Sequence, residues 1–219
     1  MFADRKDAGL KLAAALKKMS IKDPIVLAVP RGGVEVGCCV ASQLDADFSL
    51  VVTRKLPLPY NPEAGFGAMA EDGSLYIYKD AQNWLDKKTI NNVIDNQKKE
   101  IQRRIQVLRD NKPFPNIEKR NVILVDDGIA MGSTIRASIT MCQNKEAGRI
   151  IVAAPVSGPG MEESLQNECN DVVILEQPLG FRAVAQVYQN WYDVSDSEVK
   201  QFIEKWEREK QKRGDSPVD

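Results

Sequence analysis

The segment VILVDDGIAMGST at residues 122–134 gathers more chemistry than any other stretch of the chain. An apolar run ends in two adjoining carboxylates, Asp126 and Asp127. A turn of Gly128, Ile129, Ala130, Met131 and Gly132 follows, and Ser133 and Thr134 open the next element. Two carboxylates at a strand end can accept hydrogen bonds from vicinal hydroxyls, such as a ribose offers. Gly128 and Gly132 let the backbone come close to a ligand and adopt positive φ. Free amides at a helix start, with the positive end of the helix dipole, suit a phosphate dianion. The two hydroxyl residues add donors. The string is not a Walker A loop, because its glycines lie too close together and no lysine precedes the Ser/Thr. An Asp-Asp-Gly turn capping a helix is the plain structural alternative, but such a turn does not require the whole string.

A second stretch, VPRGGVEVG at 29–37, also follows an apolar run. Arg31 offers a bidentate clamp for phosphate oxygens, and Gly32 and Gly33 allow amides to turn toward an anion. The alternative is a tight strand-to-helix turn with a surface arginine.

Elements that would position these loops can be read from periodicity. Residues 5–18 predict an amphipathic helix with Leu10, Ala13, Ala14 and Leu16 near one face. Apolar runs at 25–29, 48–53, 121–125, 149–156 and 171–176 read as strands, the continuous ones covered on both faces. Helices are expected at 34–44, at about 133–143, between 156 and 171, and along a narrow apolar stripe from Trp84 to Arg109. Ser195 and Glu198 form a capping box before a last helix. Residues 54–73 hold so many Pro and Gly that they predict a long loop of the kind that serves as a lid; residues 75–78 suggest a short strand. Strands alternating with helices imply an α/β fold with a doubly wound, mostly parallel sheet, whose ligands bind at the carboxyl ends of the strands. Residues 1–212 are expected to form one domain, with 80–112 as a helical hood or insertion and 213–219 as a loose tail.

Composition narrows the field. Hydrophobic residues make up 43% and charged residues 28%, enough for a proper core. The formal net charge of -1 provides no basic field for nucleic acid, and no apolar run reaches membrane-spanning length. The charged opening MFADRKDAGL predicts no cleaved leader. Cys38, Cys39, Cys142 and Cys169 form no CxxC pair, which suggests small buried thiols in a reducing cytosol. Histidine is absent, so triads, Cys-His pairs and HExxH zinc sites are excluded.

DDGIAMGST resembles the binding motif for 5-phosphoribosyl-1-pyrophosphate (PRPP) of type I phosphoribosyltransferases. FADRKDAG, PRGG, RKLPLPYNPE and WYDVSD accompany it in an order that resembles stand-alone bacterial and archaeal predicted members of the family, over nearly all of residues 1–200. The resemblance implies that Asp126 and Asp127 bind the ribose hydroxyls and that residues 128–134 wrap the 5′-phosphate. It implies that Arg31, Gly32 and Gly33 grip pyrophosphate, in a loop that often contains a strained peptide bond. Arg54 and Lys55 would neutralise the departing pyrophosphate, and the stretch after them would be a closing lid, with Glu63 as a weaker contact. A solvated basic pair followed by an irregular loop is the alternative there. Phe181 could stack on a flat acceptor, with Tyr188 and Trp191 lining the walls, although aromatics near a C-terminal segment are more often core. Mg²⁺ would arrive largely on the substrate's phosphates, with no direct protein ligand assigned. The implied activity is transfer of the phosphoribosyl group to an unidentified, nucleobase-like acceptor in cytoplasmic nucleotide metabolism. A non-catalytic PRPP sensor and a ribose-phosphate hydrolase are the alternatives. Family members are often dimers. The resemblance departs at Met131, where the family's loop usually has Thr; losing a hydroxyl donor to a charged group costs roughly 1.5–3 kcal/mol.

Overall fold

The computed structural model describes residues 1–214. Its first part runs α1 (Arg5–Leu16), β1 (Pro24–Ala28), α2 (Gly33–Leu44), β2 (Asp47–Leu50), β3 (Thr53–Leu58), β4 (Asn61–Ala70), β5 (Leu75–Ile77), α3 (Ala81–Trp84) and α4 (Lys87–Arg109). The second part runs β6 (Asn121–Val125), α5 (Ser133–Asn144), β7 (Arg149–Val156), α6 (Met161–Gln166), β8 (Asp171–Glu176), a 3-10 turn at Val184–Val187, and α7 (Asp196–Gly214).

Five strands form a parallel sheet in the order β2-β1-β6-β7-β8. Alternate residues point to opposite faces, so each apolar strand feeds two cores. Ile25, Leu27, Val122, Leu124, Ile150 and Val152 pack on one face against Ile135, Ile139 and Cys142 of α5. Val26, Ile123, Val125 and Ile151 pack on the other against Leu12 and Leu16 of α1 and Val36 and Val40 of α2. This is the expected doubly wound α/β sheet.

Local departures have physical reasons. Leu10 is 42% exposed, while Leu12 takes the inner face of α1 with Ala13 and Leu16. The run at 48–53 is divided: β2 ends at Leu50, and Thr53 opens a second sheet of order β3-β4-β5. Residues 54–73 are not an irregular loop. They form most of an antiparallel hairpin whose register shifts on either side of Pro57, which faces Gly65. Bulges are where a strand tolerates both residue types, and Leu56, Phe66 and Met69 supply the buried face. The helical run from Trp84 is broken at Leu85, which is extended; Asp86 then caps α4 by accepting from the Thr89 amide at 2.8 Å. Helix α4 lays Ile90 and Ile101 on the hairpin's Leu56 and Phe66. The capping box at Ser195 forms, with the Ser195 amide donating to Glu198 at 2.8 Å and the Glu198 amide donating to Ser195 Oγ at 3.2 Å. Helix α7 continues to Gly214, into the stretch expected to be a loose tail, and the rest of that tail lies outside the described residues. All four cysteines are free. Among the described residues no helix is long and apolar enough to cross a membrane.

Candidate functional site

The sheet order fixes where a ligand can enter. From β1 the chain adds β2 on one side, whereas β6, β7 and β8 extend the sheet on the other. The order therefore reverses between β1 and β6, which are parallel neighbours ending together at Ala28 and Val125. Open α/β sheets leave a crevice at such a reversal, beyond the carboxyl ends of the strands. Both loops singled out from sequence, 29–33 and 126–134, leave from these two strand ends.

Asp126 and Asp127 follow β6 directly. The Asp127 amide donates to Asp126 Oδ1 at 2.8 Å. Burial, and then the charge of Asp127, raises the pKa of the Asp126 carboxyl well above its ordinary value. Arg5 Nε donates to Asp127 Oδ2 at 2.8 Å, and Tyr188 Oη donates to the Asp127 carbonyl at 2.6 Å.

Two long helices start beside this pair, and neither has a side-chain cap. Helix α5 begins after Gly132, whose φ of 75° is the left-handed geometry that glycine permits. Helix α2 begins after Gly32, and the Pro30–Arg31 peptide just before it is cis. A Cβ on Gly32 would stand 1.8 Å from Asp127 Oδ2, and one on Gly33 would stand 2.9 Å from the Val125 carbonyl oxygen. The two glycines let the 29–33 loop press against the acid pair. Uncapped amides at both helix starts are ready for anions.

Within the 128–134 loop the residues divide. Ile129 is 1% exposed and spends its amide on the Val156 carbonyl at 2.8 Å. That bond anchors the loop to β7, while Ile129 still lies along its cavity. Gly128 does not have positive φ; it is needed because a Cβ there would meet Val184 at 2.4 Å. The Met131 carbonyl accepts from Tyr78 Oη at 3.3 Å and from Arg136 Nη1 at 3.4 Å, while the Met131 side chain is exposed. All of residues 128–134 line a cavity of about 250 Å³ together with Lys55, Glu63, Gly65 and Tyr78.

Arg54 and Lys55 are neighbours on a strand and so point to opposite sides of it. Lys55 stands over the loop, its Nζ donating to the Glu63 carbonyl at 2.6 Å. Arg54 turns to α4, where Nε donates to Gln97 Oε1 at 3.3 Å. Burial, and next the charge of Arg104, lowers its pKa. Arg103 and Arg104 of α4 both pair with Glu100, and Arg103 shares Asp196 with Arg31 at 3.5 and 3.7 Å. Four cations from three segments thus meet two carboxylates.

A family model described as the phosphoribosyl transferase domain matches residues 5–187, a span that holds both loops and the hairpin. The chain belongs to this family. Two curated Mycobacterium tuberculosis proteins, provisionally named phosphoribosyl transferases, are each 36% identical to it over 211 residues, covering 95% of the chain and 48% of the relative. The chain spans about half the length of these relatives. The crystal structure of the Thermus thermophilus protein TT1426 is similar with a TM-score of 0.79 at 34% identity, covering 94% of this chain and 98% of that one.

In this phosphoribosyl transferase domain the expected acceptor-side aromatics take different places. Phe181 is half-buried, close enough that a Cβ on Gly158 would lie 3.4 Å from its ring. Tyr188 is 6% exposed, packed on Phe2 and Trp191 beneath the acid pair. Its expected place on an acceptor wall is corrected: it supports Asp127 from below. Trp191 is partly exposed and covers Arg5, with the guanidinium 4.0 Å from its ring centre. Sequence reasoning missed Arg5, Tyr78, Gln97, Arg103, Arg104 and Arg136. Arg103 and Arg104 lie on polar helix positions that read as solvated, and only the surplus of cations over acids at 103–104 could have flagged them.

Proposed function

We propose that the chain transfers the 5-phosphoribosyl group of PRPP to a nucleobase-like acceptor and releases pyrophosphate. Support comes above all from the two uncapped helix starts, α2 and α5, that flank Asp126 and Asp127. A substrate with a diol between two phosphate groups matches that order of donors and acceptors. The acid pair would accept from the ribose hydroxyls, residues 130–134 would hold the 5′-phosphate, and Arg31 with the amides at 32–33 would hold the pyrophosphate. Arg54 adds charge on the pyrophosphate side and Lys55 on the 5′-phosphate side.

In the reaction the bond from ribose C1 to the pyrophosphate oxygen breaks, and the oxygen keeps the electron pair. The acceptor's nucleophilic atom forms the new bond to C1 and sheds its proton. The protein needs no nucleophile of its own, which suits a chain without histidine. Its contribution is positioning and stabilisation of charge on the leaving group. Among the described residues no group of three or more His, Cys, Asp or Glu is placed to hold a metal. Two adjoining carboxylates beside an anion loop fit a hard cation carried on the substrate's phosphates. Mg²⁺ bound in that way would neutralise part of the charge on the departing pyrophosphate.

A calorimetric titration with PRPP, with and without Mg²⁺, tests the reading. The expected result is Mg²⁺-dependent micromolar binding that weakens by about 100-fold or more in Asp126→Asn, in line with the loss of charged hydrogen bonds to two hydroxyls. No binding up to millimolar PRPP, or unchanged affinity in the variant, would overturn it. PRPP binding without pyrophosphate release for any acceptor screened would instead mark a binding module.

A further inference from the structure

Arg5 is a buried cation in direct contact with the acid pair, with 2% of its surface exposed. Burying a charge is costly unless its donors are satisfied. Nε donates to Asp127 Oδ2 at 2.8 Å and Nη1 donates to the Tyr192 carbonyl at 2.9 Å. The guanidinium also lies 4.0 Å from the ring centre of Trp191 and 5.2 Å from that of Tyr192.

The backbone that carries Arg5 is fixed as well. Asp4 caps α1 by accepting from the Asp7 amide at 2.8 Å. Phe2 donates to the Val187 carbonyl at 2.7 Å and accepts from the Gln189 amide at 2.8 Å. The N-terminal residues therefore strap the 187–192 segment to the floor of the site. Gly32 stands against the same oxygen, so close to Oδ2 that no Cβ would fit, and a Cβ there would also lie 3.2 Å from Arg5 Nε. Arg5 and the 29–33 loop thus both press on Oδ2 of Asp127, and that oxygen is spent on the guanidinium.

We infer that Arg5 is a positioning residue for ribose recognition. It locks Asp127 in a single orientation, so that the remaining oxygen is left to meet a sugar hydroxyl. The inference rests on reading Asp126 and Asp127 as the ribose-binding acids. Arg5 itself touches no substrate. Its charge also opposes the rise in the Asp126 pKa that burial and Asp127 cause. Through the strap, the same guanidinium links the aromatic segment at 188–192 to the ribose floor.

The test uses ribose 5-phosphate, 2-deoxyribose 5-phosphate and 3-deoxyribose 5-phosphate, titrated into the full chain, Arg5→Met and Arg5→Lys. The wild-type protein should prefer the intact ribose over at least one deoxy sugar by about tenfold, the value of a hydrogen bond to a charged group. Arg5→Met should bring that ratio close to one, while Arg5→Lys should keep part of it. A residue that only supports the fold would weaken all three sugars alike and leave the ratio intact, which would overturn the inference. So would unchanged ratios in both variants. If Arg5→Met does not fold, as judged by its melting curve, Arg5→Lys decides alone: its ratio must fall below that of the wild type. A wild-type protein that ignores both hydroxyls would overturn the ribose-binding reading of the acids, and with it the role of Arg5; failure confined to the variants would leave that reading standing.

Discussion

At Asp126, burial and the charge of Asp127 both disfavour the carboxylate and raise its pKa in the fold. A carboxyl whose pKa is higher folded than unfolded binds more protons in the folded state. Stability therefore falls as pH rises from the ordinary value of 3.8 through the raised one, and the penalty stays in full above it. Asp126→Asn removes the penalty and keeps an oxygen to accept from the Asp127 amide. The variant should be more stable than the wild type at pH 7 by the order of 1 kcal/mol, as single stabilising changes commonly are. Thermal melts from pH 4 to pH 8 should show the gain growing with pH, and a gain independent of pH would refute this account. The same substitution should weaken PRPP binding by about 100-fold or more, so that a gain in stability paired with that loss would mark Asp126 as kept for function at the expense of stability. Legibility at this scale followed chemistry that is local in sequence. The Asp pair, Arg31, Gly32 and Gly132 could be read because strand end, acid and glycine adjoin in the string. Positive φ was wrongly expected at Gly128, and the bond that takes up the Ile129 amide went unread, because their partners at 184 and 156 are remote in sequence. Arg5 was invisible as a site residue, and Tyr188 was expected on an acceptor wall instead, because their partner, Asp127, is remote in sequence.

Among the elements, the β3-β4 hairpin decides how the two neighbouring cations are used. Strand geometry sends Lys55 to the cavity over residues 130–134 and Arg54 to α4. Lys55→Met should weaken binding of ribose 5-phosphate by about tenfold, the usual value of one charge-assisted contact. Its melting temperature should stay close to that of the wild type, since Lys55 is only half-buried and its Nζ is held by a carbonyl, that of Glu63, rather than by a buried carboxylate. Unchanged affinity would remove Lys55 from the phosphate site. The parallel strands were legible because continuous apolar runs of five to eight residues between turn signals have few other readings. The hairpin was not, because Pro57, Pro59, Gly65 and Gly67 are ordinarily loop residues. Pro59 falls in the turn between the strands, and the bulges around Pro57, which depend on cross-strand pairing, reconcile Pro57 and the facing Gly65 with a hairpin.

Across the whole molecule, the small sheet must be held at a fixed place over the large one for Lys55 to reach the loop at all. Glu71, just after β4, and Arg109, at the end of α4, form a bidentate ion pair with side-chain exposures of 6% and 9%. Arg109 also donates to the Leu50 carbonyl at 3.2 Å, and Glu71 accepts from the Val52 amide at 3.0 Å. One pair therefore ties the hairpin sheet, α4 and the edge strand β2 together. Burying two charges gains little over a well-packed apolar pair, but removing one partner strands the other. Glu71→Leu should cost about 3–5 kcal/mol and lower the melting temperature by roughly 10 °C. Glu71→Leu combined with Arg109→Leu should recover a large share of that loss, because neither charge is then buried alone. A thermal melt of the two variants checks both numbers. If Glu71→Leu melts within 2 °C of the wild type, the pair is not the clasp between the sheets, and the place of the hairpin must be set by its other contacts, such as the packing of Ala68 and Ala70 with Ile135 and Ile139 of α5 and the hydroxyl bond of Thr53 with Ser138.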